Sequence, residues 1–259
     1  MNLPMYLESF AALVPDGIVT PAGTAPWDSG QAGPADIRRE QVLDKPYPSF
    51  GKLSLPDKLA FSVATLALSG SPALENESTG ISIGLPAGSL STDLRYMESV
   101  AAGFPSPAVF SATLPSSSLA DIAIFHGLKG ENRVVAGGNE SGMVALDLAM
   151  TILSCGKASA MLVLSVNALD AVDQSSPLVP LDFHRENRAF AFLIGTHPNP
   201  GGRSCRITAT FQSANKDRAA AGGELYFYGL TNLLRDRASG TIECDAPGLS
   251  GRITVSMDT

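Results

Sequence analysis

Between Arg133 and Val166 the chain runs through a strand, a turn, a helix and a second strand with almost no polar interruption. Arg133 to Ala136 (RVVA) is a short strand, and Gly137-Gly138 turns tightly. Ser141 to Ser154 (SGMVALDLAMTILS) is apolar nearly all round, so it predicts a helix buried on most faces. Gly156 stops it. Ala160 to Val166 (AMLVLSV) predicts a fully buried strand. Such a unit implies parallel strands joined by a right-handed crossover, inside a sheet covered on both faces by helices. The fold class is therefore α/β.

The flanking segments extend this picture. A short apolar run at Met5 to Leu13 predicts a first strand. A Pro- and Gly-rich surface excursion from Val14 to Pro48 follows, with the single tryptophan, Trp27, expected to pin it to the body. Asp57 to Ser69 predicts a helix, opened near Pro56 and stopped by Gly70. Thr79 to Leu85 (TGISIGL) reads as a strand bounded by glycines. Thr92 to Ala102 reads as a helix with Thr92 as N-cap, and Ser116-Ser117-Ser118 as a serine cap on the apolar helix Leu119 to Phe125. Arg188 to Gly195 adds a strand. Ser204 to Phe211 opens a second, smaller set, followed by a helix over Ala219 to Arg235. A hairpin of Thr241 to Cys244 and Arg252 to Met257 turns at Pro247-Gly248.

Composition narrows the function classes. The net charge is −7 and the pI about 4.9. No Lys/Arg cluster stands out beyond Arg38-Arg39, which disfavours nucleic-acid binding. No apolar run is long enough to span a bilayer, and the first residues do not read as a signal peptide, so a cytoplasmic protein is expected. The cysteines, Cys155, Cys205 and Cys244, are widely spaced and odd in number, which predicts buried reduced thiols and no metal site. No cofactor is expected.

The turn before the buried helix is the candidate site. A helix start presents free N–H groups and the positive end of the dipole, which suits a thiolate or an anion. The residue there is Asn139, whose amide is not a nucleophile. Ser141 lacks a G-x-S-x-G elbow and reads as a small packing residue. Glu140 reads as a first-turn carboxylate favoured by the dipole. His126, at a helix end, reads as a cation favoured there. His184 falls in a polar turn, and neither histidine has metal-ligand spacing.

Gly127-Leu128-Lys129-Gly130 and Val134-Val135-Ala136-Gly137-Gly138-Asn139-Glu140-Ser141-Gly142, with Ala145-Leu146, resemble the nucleophile segment of β-ketoacyl synthases, in the thiolase-fold superfamily. The family's Cys falls on Asn139. Phe110 to Ile124 is similar to the segment that lines the acyl tunnel near the dimer interface. Pro180-Leu181-Asp182-Phe183 and Arg185 are similar to the stretch before the closing strand of the first half, although the family's Gly-Glu-Gly-Ala is missing. The resemblance covers roughly residues 1 to 200.

It implies a thiolase-like fold with a mixed, mostly parallel sheet and helices on both faces. The first half is complete, as a unit over 1–202, and the second is abbreviated, over 203–259. Condensing enzymes of the family use two His, or His and Asn, from the second half. All three histidines here, His126, His184 and His197, lie before it. Nucleophile-less relatives include chain-length-factor subunits that pair with an active ketosynthase, and short ketosynthase-like chains of aryl polyene pathways. The brevity of this chain and its Asn139 are most similar to those.

The resemblance therefore implies a non-catalytic subunit pairing with a full-length ketosynthase through Asn132, Arg133, Val134, Val135 and Ala136. Phe110, Thr113 and Leu114 would line the partner's acyl tunnel, although ordinary core packing explains them equally well. Acyl carrier protein would be met through the partner, since an acidic surface suits an acidic carrier poorly. Two other readings stand beside this one. The first is a decarboxylase or acyltransferase in its own right, and the second a homodimeric acyl-ligand-binding protein.

Overall fold

A computed structural model describes residues 4–69, 71, 75–170, 186–198, 205–213, 223–236, 238–246 and 249–257. One ten-stranded mixed sheet runs through the molecule. Its strands are β1 (Met5–Val14), β2 (Gly17–Thr20), β3 (Gly23–Ala25), β4 (Thr79–Leu85), β5 (Asn132–Ala136), β6 (Ala160–Asn167), β7 (Arg188–Gly195), β8 (Cys205–Ser213), β9 (Gly240–Ala246) and β10 (Leu249–Met257). The helices are α1 (Leu55–Ser69), α2 (Leu90–Ala101), α3 (Pro107–Phe110), α4 (Ser117–His126), α5 (Ser141–Ser154) and α6 (Gly223–Arg235).

The strand order is β5-β4-β6-β7-β1-β8-β10-β9, with β2 and β3 branching from β1. The parallel block is β5–β4–β6. From β6 outward the ladders are antiparallel. The predicted strand–helix–strand unit is present as β5–α5–β6, with β4 inserted between its two parallel strands.

Period-two alternation assigns each strand's side chains to one of two cores. On one face Met161, Val163, Phe190, Phe192 and Ile194 pack with Met143 and Leu146 of α5 and Phe227 of α6. On the other face Ile81, Ile83, Leu162, Leu164 and Leu193 pack under Leu59, Phe61 and Val63 of α1 and Ile122 of α4. The small Ala189 and Ala191 of β7 belong to this second core. β8 joins the edge of β1, pairing Ile207 with Met5. The later strands thereby prolong the first sheet.

Several local expectations need correction. The helix predicted from Asp57 starts two residues earlier, because Ser54 rather than a later residue caps it: Asp57 N–H donates to Ser54 Oγ at 3.3 Å. Thr92 lies inside α2 and is not its N-cap; the helix begins at Leu90, and Ser89 Oγ donates to the Asp93 carboxylate at 3.0 Å. Ser116 makes no side-chain cap on α4. Cys205 is buried, but Cys155, just past the end of α5, is exposed, so burial of the thiols holds only in part.

Trp27 does pin the excursion. Its Nε1–H donates to the Val14 carbonyl at 2.9 Å, and its ring packs on the second core. The Pro247-Gly248 turn, His184 and the stretch 180–185 lie outside the described residues.

Candidate functional site

The site is built where α5 meets the C-terminal end of β4. β4 alternates Ile81, Ile83 and Leu85 toward α1 with Gly80, Ser82 and Gly84 toward α5. A Cβ on Gly84 would lie 2.4 Å from the Gly142 nitrogen, and one on Gly142 would lie 2.5 Å from Ser165 Oγ. Only hydrogens fit at both positions, and that brings the first turn of α5 directly onto the sheet. Ser82 Oγ donates to the Ala145 carbonyl at 2.7 Å and fixes the helix one turn further on.

The connection from β5 is held just as closely. Gly137 N–H donates to the Leu85 carbonyl at 3.1 Å and Gly138 N–H to the Pro86 carbonyl at 3.2 Å. Both glycines have positive φ, 102° and 87°, which a side chain would strain. Ser141 is fully buried, and its hydroxyl lies within bonding distance of two backbone carbonyls, Gly137 at 2.8 Å and Gly138 at 2.7 Å. It is a packing and turn-closing residue, as the sequence suggested. Glu140 occupies the N-cap position of α5, and its carboxylate folds back over Gly138, where a Cβ would meet it at 2.6 Å.

Asn139 stands at the apex of this turn and is 8% exposed. The arrangement has the backbone of a nucleophile turn: two glycines, a helix start and close support by the sheet. The side chain it presents is an amide, which can donate and accept hydrogen bonds but cannot attack an acyl group.

The other expected residues are placed as follows. β5 is the terminal strand of the sheet, paired among the described residues with β4 alone. Glu131 C=O accepts from Ile81 N–H and Leu85 C=O accepts from Gly137 N–H. In a parallel ladder this directs the backbone groups of Arg133 and Val135 toward β4, and those of Asn132, Val134 and Ala136 away from it. Arg133 pairs with Glu131 at 2.7 Å and donates to the Asn132 carbonyl at 2.8 Å, covering one outward acceptor.

Phe110 is 57% exposed and Leu114 63% exposed, so neither is a core residue of this chain. Thr113 is half-buried, with its hydroxyl on the Phe110 carbonyl at 2.8 Å. They belong to a wider apolar surface. Met97 and Val100 of α2, Phe104, and Ile124 and Phe125 of α4 are also exposed, Ile124 at 81%.

His126 differs from expectation. It packs beside Phe61 and Phe125, and its Nε2 lies 2.9 Å from Thr65 Oγ1. Burial depresses its pKa to about 4, so it is neutral near pH 7 and does not act as a helix-end cation. His197 is exposed and bonded to Thr196.

Sequence reasoning missed Asp57. Its side chain is 4% exposed and sits between the starts of α1 and α4. Oδ2 accepts from Ser54 Oγ at 2.6 Å, and Oδ1 from Ser117 Oγ at 2.9 Å and Ser118 Oγ at 2.6 Å. The Ser54-x-x-Asp57 spacing, a capping box, was the available signal. Asp121, farther along α4, has its carboxyl pKa raised by its own desolvation and then by the charge of Asp57.

Among the described residues no group of three or more His, Cys, Asp or Glu could hold a metal, and no helix is long and apolar enough to cross a membrane.

Residues 59–179 match the family model of the β-ketoacyl synthase N-terminal domain. No curated protein matches the sequence. Among solved structures, the chain is similar to a ketosynthase in complex with its chain length factor from Xenorhabdus doucetiae, at 16% identity and TM-score 0.70. That match covers 97% of this chain and 99% of the other. It is similar to the ishigamide ketosynthase/chain length factor at 14% identity and TM-score 0.73, over 99% of this chain and 100% of that one. A β-ketoacyl synthase from Burkholderia phymatum STM815 is similar at 15% identity and TM-score 0.58, over 90% of this chain but 70% of its own. The chain is a β-ketoacyl-synthase-like protein, in sequence over residues 59–179 and in fold over nearly its whole length.

Proposed function

We propose that this chain is a non-catalytic, chain-length-factor-like subunit that pairs with an active ketosynthase in a polyketide or aryl polyene pathway. The observation that carries the reading is Asn139. An amide, with no nucleophilic capacity, occupies the apex of a turn otherwise built like a nucleophile turn. Full coverage of a chain of matching length in ketosynthase/chain length factor complexes supports it, beside 70% coverage of a β-ketoacyl synthase chain.

Pairing has a surface to use. The outward N–H and C=O groups of β5 form an open edge, which sheet proteins otherwise protect. Exposed Phe110, Leu114, Ile124 and Phe125 offer apolar area beyond the scattered leucines of an ordinary surface. In this reading β5 continues into the partner's sheet. Phe110, Thr113 and Leu114 complete the wall of its acyl tunnel, and the partner docks the acyl carrier protein. The subunit works in the cytoplasm, with no cofactor.

Co-expression with the ketosynthase encoded beside it tests the proposal. A stable complex on size exclusion and polyketide product only when both chains are present are expected. A chain that stays monomeric beside its ketosynthase, or that alone turns malonyl-carrier substrate into acetyl product, overturns it.

A further inference from the structure

Asp57 holds together parts of the chain that have no other reason to meet. Its backbone belongs to the first turn of α1, and one carboxylate oxygen closes that turn through Ser54. The other oxygen accepts from Ser117 and Ser118, sixty residues away, at the first turn of α4. Hydrogen bonds to a charged acceptor are the strong ones, and a buried carboxylate stripped of donors is costly, so the arrangement is tightly determined. The positive ends of two helix dipoles converge on the same negative charge.

The segment anchored in this way is 110–118. Its internal bonds are short-range turns: Thr113 N–H to Phe110 O, and Ser117 N–H to Leu114 O. Leu114 points its apolar side chain outward at 63% exposure. A small recess lies between this segment and the body, lined by Asp57, Leu85, Gly88, Ala112 and Leu114. Leu85 is the residue whose carbonyl receives Gly137 N–H, so the recess adjoins the Asn139 turn.

We infer that Asp57 is a positioning residue: it clamps 110–118 so that Phe110 and Leu114 stand at a fixed place in the wall presented to the partner, and thereby sets product length. This rests on the pairing proposed above. Removing a donor leaves the segment attached at both ends but free to shift. The expected effect is therefore on which chain lengths the complex releases rather than on how much it makes.

The test compares the wild-type chain with Ser117→Ala, Ser118→Ala and Asp57→Asn. Amide hydrogen exchange is followed on the chain alone, and products are analysed by mass with the ketosynthase present. Amides of 111–118 should exchange about tenfold or more faster in the variants, the loss expected for one hydrogen bond to a charged group, while β6 and β7 keep their protection. The complex should still form, with total product near wild type and a broadened length distribution. Unchanged exchange at 111–118 in every variant overturns the clamp. Faster exchange with unchanged product lengths overturns its positioning role. A wild-type chain that forms no complex overturns the pairing instead, and the exchange comparison still decides the clamp. Should Asp57→Asn fail to fold, the two serine variants carry the same comparison.

Discussion

Gly84 of β4 and Gly142 of α5 touch backbone to backbone, so closely that a Cβ on Gly84 would fall 2.4 Å from the Gly142 nitrogen. Neither side can yield, since one belongs to a central strand and the other to the first turn of a buried helix. Gly84→Ala should destabilise the fold by about 3 kcal/mol, at the upper end of overpacking costs, and lower Tm by roughly 6–12 °C. Thermal unfolding followed by circular dichroism measures it. Gly23→Ala is the contrast for space: a Cβ there meets nothing within 4 Å, although its φ of 134° carries a conformational cost of its own.

Asn139→Cys should restore a thiol at a helix start without restoring condensation. The chain holds three histidines, and none follows residue 197. The second-half groups that the ketosynthase family uses with its cysteine have no counterpart there. The variant incubated with acyl- and malonyl-carrier substrates should yield no ketoacyl product; a condensing single mutant would show that the helix start alone suffices.

Val134 directs its N–H away from β4, at the open edge. Proline tolerates such a position, since no ladder bond inside the chain is lost. Val134→Pro should leave Tm within a few degrees of wild type and abolish co-purification with the ketosynthase. Ile124→Glu should weaken the same complex by placing a charge on the apolar surface beside it. Retained binding in both variants would move the interface elsewhere.

His126 makes stability depend on acid. Its pKa falls from 6.5 in the unfolded chain to about 4 in the fold, through desolvation. Above pH 6.5 both states are neutral and the full stability is present. Between 6.5 and about 4 the unfolded chain takes up a proton that the fold refuses, and up to roughly 3 kcal/mol is lost. Denaturant titrations at pH 7 and pH 4.5 should show the loss, and His126→Gln should flatten that part of the profile.

Where one element dominates its own environment, the residues were enough to read it. α5, β4 and β7 begin and end where their apolar runs do, because a fully buried element carries its boundaries in its composition. The Asn139 turn was legible for the same reason, two glycines before a buried helix. What escaped depended on distant partners. The serines at 116–118 read as a local cap, but two of them serve a carboxylate sixty positions upstream. The neutral state of His126 follows from its seat between α1 and its own neighbour Phe125. The joining of β8 to β1 is a register between strands some two hundred residues apart, which no local pattern encodes.

The bond from the Trp27 indole to Val14 gives the molecule an optical label of its own. As the only tryptophan, it dominates the emission of the chain and sits where the 15–48 excursion is tied down. Release of that excursion should shift its fluorescence to longer wavelength while the far-ultraviolet signal of the sheet is still intact. A mild denaturant ramp read at both wavelengths would then separate peeling of this outer strap from melting of the body, with no dye or tag attached.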